Sequence, residues 1–215
     1  MDQDLLEEYI QKGNSAELDA ILTANPKLAS LKTSHQVSPL MLCCYYKQAA
    51  LAEIILKHLE NLTFFEAAAL GKSDFVEQAL NANEDLVNQF SDDGFTPLGL
   101  ASYFGNEDVV RLLLLKGAEP NVPSQNGYNV YPLHSAVASN YAMIAKMLME
   151  AGADVNVVQM SGATPLHSAA QNGNIDLLIV LLEGGANVNA RTEDGKTAAD
   201  KASEKGYGDI AKILS

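Results

Sequence analysis

Short apolar blocks recur in pairs along this chain, each pair followed by a polar stretch rich in Gly, Asn, Asp and Ser. The second block of a pair carries the clearer signal: Val109, Val110, Leu112, Leu113; then Ile144, Ala145, Met147, Leu148; then Leu177, Leu178, Val180, Leu181. Offsets of 1, 3 and 4 build one wide apolar face of a helix. The first block opens on a short motif: Ser-Pro-Leu at 38, Thr-Pro-Leu at 96, Tyr-Pro-Leu at 131, Thr-Pro-Leu at 164 and Thr-Ala-Ala at 197. From 96 onward these anchors fall at intervals of 35, 33 and 33 residues. A fixed period of this length marks a repeat architecture, in which a unit too small to fold alone is stabilised by near-copies. Weaker copies anchored at Asp4 and Leu62 complete seven units, approximately 4–37, 38–61, 62–95, 96–130, 131–163, 164–196 and 197–215.

The fourth unit shows what each position does. Thr96 suits a helix N-cap, and Pro97 suits the first helical position, where its missing N–H is no loss. The first helix is predicted to run to about Tyr103. Gly105, nine residues past the anchor, ends it in a left-handed turn. Equivalent positions hold Gly13, Gly71, Gly173 and Gly206, the tolerant Asn140, and one departure, Lys47. Glu107 and Asp108 then stand where a second helix N-terminus favours negative charge. Five residues past the anchor the side chain is small in six units: Cys43, Ala67, Ala101, Ala136, Ala169 and Ala202. Small residues there let neighbouring first helices approach closely. The exception, Tyr9, lies in the first unit, which has no preceding neighbour.

These residues resemble the ankyrin repeat family. Thr164-Pro-Leu-His-Ser-Ala-Ala-Gln-Asn-Gly, the following Leu run and Gly185-Ala-Asn-Val-Asn189 match its pattern nearly throughout, and the likeness covers residues 4 to 215. The resemblance implies an all-α repeat solenoid of about seven helix-turn-helix units, capped at both ends, within one domain spanning 1–215. It also implies short β-hairpin fingers between units, at about 86–96, 119–131, 154–164 and 187–197, with a less regular one near 29–38. Two departures change the expectation. Only 24 residues separate Ser38 from Leu62, so the finger row should have a gap there; two extra residues before Tyr131 should lengthen the finger carrying Tyr128, Asn129 and Val130. Polar replacements in the last unit, Asp200, Lys201, Glu204 and Lys205, read as a C-terminal cap with no further domain expected after it.

Composition narrows the partners. Fourteen Lys and Arg against 27 Asp and Glu give a net charge of −13, which repels phosphate backbones and anionic lipid, so neither nucleic acid nor a membrane is expected. The acidic start and the lack of a long apolar run point to the cytoplasm. Cys43 and Cys44 are adjacent and cannot close a structural disulfide loop without strain.

No catalytic, metal or cofactor site is read from the sequence. The resemblance implies that His134 and His167, each in Pro-Leu-His, tie neighbouring fingers and helix starts together. Rings one repeat apart on helices packed about 8–10 Å apart are poorly placed to share an ion. His35 and His58 look isolated. Cys43 sits at the packed small-residue position, and Cys44 has no activating base at a predictable distance. Asp92-Asp93 and Glu193-Asp194 are expected at fingertips in solvent, and Asn121, Asn156 and Asn189 are expected to fix their turns by side-chain bonds.

The resemblance places a partner on a concave face formed by the fingers and the ends of the first helices. Carried over by position, that face holds Tyr45, Tyr46, Leu70, Phe90, Asp92, Asp93, Phe95, Tyr103, Phe104, Tyr128 and Asn129. Aromatic side chains bury much area for little lost rotamer freedom, so these residues suggest a hydrophobic centre from Tyr45 to Tyr128 with acidic edges. The expected function is a non-catalytic protein–protein interaction module, an adaptor or an enzyme inhibitor, acting as a monomer on another protein. The alternatives are a self-assembling structural protein and an enzyme with an unrecognised site.

Overall fold

The computed structural model describes residues 2–215 and folds as seven successive helix pairs: α1 (Asp2–Lys12) with α2 (Ser15–Ala24), α3 (Pro39–Tyr45) with α4 (Ala49–His58), α5 (Phe64–Ala69) with α6 (Ser73–Ala82), α7 (Pro97–Phe104) with α8 (Glu107–Leu115), α9 (Pro132–Ala138) with α10 (Ala142–Glu150), α11 (Pro165–Asn172) with α12 (Ile175–Glu183), and α13 (Ala198–Glu204) with α14 (Gly208–Ile213). The first helices form one continuous row, α1 against α3, then α5, α7, α9, α11 and α13 in turn. That lateral packing rests on the small position: Cys43, Ala67, Ala101, Ala136, Ala169 and Ala202 are all fully buried between neighbours. The second helices pack behind them, with Val109, Val110 and Leu113 of α8 and Leu177 and Leu181 of α12 fully buried.

Local chemistry sets the helix ends. Thr96 Oγ1 accepts from Gly99 N–H and Ser38 Oγ from Met41 N–H, each with proline next in the chain. The third unit is capped by Thr63, one residue after the expected anchor Leu62, because only the threonine carries an oxygen to accept from Glu66 N–H. The first helix likewise starts earlier than its Asp4 anchor, at Asp2. All seven turn positions between paired helices have positive φ: Gly13, Gly71, Gly105, Gly173, Gly206, Asn140 at 66° and Lys47 at 56°. The fold imposes the left-handed conformation even where the sequence supplies a lysine.

The fingers differ from expectation. Among the described residues there is no strand; each finger is a tight turn closed by two backbone bonds, one outward (Thr33 N–H to Val37, Ser91 to Phe95, Gln159 to Ala163 and Thr192 to Lys196) and one back to the turn's first residue (Gln36 N–H to Thr33, Gly94 to Ser91, Gly162 to Gln159 and Gly195 to Thr192). Both bonds lie within the five-residue turn and none continues along the arms, so no ladder forms. The expected 86–96 finger also begins inside a 3-10 helix, Glu84–Asn88. The longer finger is present, closed from Ser124 N–H to Val130, two residues wider than the others. The gap is present too: α4 leads to α5 through residues 59–63 with no turn between.

Asn121 and Asn156 act across units rather than within their own turns. Asn121 donates to Gly152 C=O at 2.8 Å and accepts from Asp154 N–H at 2.8 Å, in the next unit; Asn156 does the same to Gly185 and Asn187. Asn88 completes the series with Gly117 and Glu119. The histidines add a second set of ties. His167 Nδ1 accepts from Thr164 N–H at 3.1 Å, which leaves Nε2 to donate to Lys196 C=O at 3.1 Å, and His134 Nε2 donates to Ala163 C=O at 3.1 Å. Tyr131 stands where Thr164 does and brings no hydroxyl to the ring as Thr164 does to His167, and the buried Nδ1 of His134 has no partner. Burial holds the His134 imidazole down at about 4 and lowers His167 as well.

Candidate protein-binding face

Tyr45 is the last residue of α3, and Tyr103 and Phe104 end α7, so the helix row brings these ring-bearing ends onto one side. Tyr45 lies 5.3 Å from Phe104 and 6.0 Å from Tyr103, which meets Phe104 edge-on at 5.1 Å. These contacts join the second unit to the fourth. They pass over the third because α5 ends in Ala68-Ala69, leaving room that Leu70 fills only in part; Leu70, Phe95 and Phe104 all pack at the edge of the same N-terminal core.

Asp93 does not sit free at a fingertip. It accepts from the Tyr45 hydroxyl at 2.5 Å and from Ser91 Oγ at 2.5 Å. Burial and the Asp93 carboxylate together push the Tyr45 phenol well above its ordinary range, so it serves as a permanent donor. Asp92 is exposed and pairs with Lys32 at 2.9 Å. Beside them lies a groove of about 350 Å³ lined by Leu42, Tyr45, Tyr46, Phe95, His35 and Asn126. Tyr46 and Tyr103 present their rings to solvent, at 43% and 36% exposure, while Phe90 is half-buried.

Tyr128 belongs to a different patch. It is 64% exposed, and it lines a second groove of about 360 Å³ with Val130, Gln159, Met160, Ser161 and Glu193; Asn129 beside it is exposed with φ of 52°. The single patch expected from Tyr45 to Tyr128 is therefore two grooves, because the extra residues of the long finger carry Tyr128 toward the following finger, where its C=O accepts from Met160 N–H. Sequence reasoning passed over His35, Asn126 and Met160. Met160 carried a signal, being apolar at a finger position that is polar in Asp92, Gln125 and Glu193.

Residues able to do chemistry are engaged elsewhere. Burial pushes both cysteine thiols up to about 12, with the Glu66 charge adding to the effect at Cys44. His58 is not isolated but pairs with Asp19 at 3.1 Å. Asp194 accepts from Thr192 Oγ1 within its own turn, and that bond holds its carboxyl below the usual range. Among the described residues no group of three or more His, Cys, Asp or Glu is placed to hold a metal, and no helix is long and apolar enough to cross a membrane.

The family model for ankyrin repeats (3 copies) matches residues 64–159 and 133–215, together more than half of the chain. The chain belongs to the ankyrin repeat family. Ankyrin repeats are protein–protein interaction modules and are generally non-catalytic. Similar ankyrin-containing proteins include human DNA-binding protein RFXANK, 41% identical over 64 residues, covering 30% of this chain and 25% of that protein. Human SH3 and multiple ankyrin repeat domains protein 1 is 33% identical over 124 residues, 55% of this chain and 6% of that protein. Mouse RelA-associated inhibitor is 34% identical over 100 residues, 46% of this chain and 12% of that protein. The chain thus matches at most a quarter of the length of these three relatives.

Proposed function

We propose that this ankyrin repeat chain is a monomeric, non-catalytic adaptor or inhibitor that holds another protein on its finger and first-helix face, centred on Tyr45, Tyr46, Tyr103 and Phe104. The observation that carries this reading is the half-buried aromatic cluster that joins two units across a third and presents Tyr103 to solvent, with the Tyr45 phenol fixed by Asp93. Rings held rigidly at a surface lose little freedom on binding, which is what a hot spot requires. One relative is by name an inhibitor and another by name DNA-binding. The net charge of −13 opposes a phosphate backbone and favours a basic or mixed protein surface.

A photo-crosslinking amino acid placed at Tyr46 or Tyr103, and as a control at Ile179 on α12, tests this in extract from the source cell. The reading expects one protein adduct shared by the first two positions and absent from the third. Adducts only at Ile179, or only with another copy of this chain, would contradict it, and sedimentation at micromolar concentration would then identify self-assembly.

A further inference from the structure

Three fingers are tied to their predecessors from one donor position, the acceptor being the left-handed residue itself in the first (Gly94) and the residue before it in the other two (Tyr128 before Asn129, Ser161 before Gly162). The N–H of the residue just after each turn's first residue donates backward: Gln125 to Gly94 at 2.8 Å, Met160 to Tyr128 at 2.9 Å and Glu193 to Ser161 at 3.1 Å. In the 91–95 turn that residue is Asp92, and its N–H has no acceptor among the described residues, because the unit before it carries no finger. Across the gap stands the 33–37 turn. Gln36 holds there the left-handed position that Gly94 holds in the next finger, with φ of 63° against 80°, yet its carbonyl accepts nothing where that of Gly94 accepts Gln125. The finger row is therefore interrupted between an unpaired acceptor and an unpaired donor. Only a side-chain bridge, Lys32 to Asp92, crosses it.

The gap also has an interior. A void of about 100 Å³ is lined by Ser38, Met41, Phe65, Glu66, Asp92 and Asp93, and it shares Val37 and Asp93 with the aromatic groove. Three acidic residues, Glu66, Asp92 and Asp93, line it, and Lys32 pairs with Asp92. Addition of an extended segment to unpaired backbone edges is a common mode of peptide recognition, with affinity from main-chain bonds and selectivity from adjoining pockets.

We propose that this gap is a docking slot for an extended, lysine- or arginine-bearing segment of a protein partner, whose backbone replaces the missing finger between Gln36 and Asp92 while its basic side chain meets Asp92 and Asp93. The inference rests on the protein-binding reading above and gives that face one specific occupant. Lys32 covers the slot in the free protein. As half of an exposed ion pair it is displaced at little cost, the range measured for such pairs being small. A neighbouring apolar side chain of the segment enters the groove beside Tyr45 and Phe95.

The probe is a phage-displayed library of random dodecapeptides selected on the full chain, with enriched peptides then synthesised and their binding measured by fluorescence anisotropy. The slot predicts peptides in which Lys or Arg neighbours an apolar residue. It predicts at least tenfold weaker binding in Asp92→Asn, and at least tenfold slower exchange of the Asp92 amide in the complex. A nine-residue finger inserted between Asn61 and Leu62, the difference between the regular 33-residue interval and the 24 found here, should abolish binding. Should that insertion fail to fold, Asp92 amide exchange on the unaltered chain decides. Failure to enrich basic peptides, or an Asp92 amide exchanging at its free rate in the complex, overturns the slot. A peptide whose binding is lost in Tyr103→Ala but kept with the inserted finger also overturns it while leaving the aromatic face standing.

Discussion

His134 gives the most quantitative test of how the units are joined. Its Nε2 donates to Ala163, at the end of the finger that leads into the next unit's anchor Thr164, the ring is 2% exposed, and its Nδ1 has no partner, so the folded protein holds it neutral. Burial brings it from 6.5 to about 4. The unfolded chain therefore binds the extra proton between those values, and stability is fully present above pH 6.5 and falls as pH drops through the window. Between pH 7.5 and 4.5 such a shift corresponds to about 2.5 kcal/mol for this residue alone. Acid also relieves repulsion in a chain of net charge −13, so the quantity to measure is a difference. Urea unfolding of the parent and of His134→Gln, whose amide can still donate to Ala163, should be followed at both pH values. The parent should lose about 2–3 kcal/mol more than the variant. Losses that agree within about 0.5 kcal/mol would refute the burial argument and the role of the ring as a tie between units.

Other consequences are direct. Lys47 sits at φ 56°, where an L side chain is strained, so Lys47→Gly should stabilise by about 0.5–1 kcal/mol, visible as a melting temperature roughly 1–4 °C higher. Gly105→Ala should do the reverse by more than about 2 kcal/mol, because φ is 82° and an added Cβ would meet the Tyr141 ring of the next unit. With thiols held at about 12, Cys43 and Cys44 should react with a thiol reagent at pH 8 on the order of a thousandfold more slowly in the folded chain than in urea; labelling at the unfolded rate would count against their burial.

The parts of this fold legible in the sequence are those fixed by periodic sterics. The small residue five past each anchor and the left-handed position nine past it are dictated by helix contact and chain reversal, so they could be located even where Lys47 replaces glycine. The missing and lengthened fingers followed from counting residues. What resisted reading depends on contacts between units. Whether Asn121 bonds its own turn or the next cannot be told from its spacing, and it reaches Gly152. Likewise, Tyr45 touches Phe104 across the third unit because the second unit lacks a finger and the third ends its first helix in alanines. The same three-dimensional dependence separated Tyr128 from the aromatic cluster and recruited His35 and Asn126 to its groove.

The account turns on the aromatic face. Once a partner is captured at Tyr46 or Tyr103, calorimetric titration with the double variant Tyr103→Ala/Phe104→Ala and with Ile179→Ala measures that face directly. The account predicts a loss of about 2–4 kcal/mol in the double variant, roughly thirtyfold to a thousandfold in affinity, with the Ile179 variant unchanged. An unchanged affinity in a double variant that melts like the parent would contradict it.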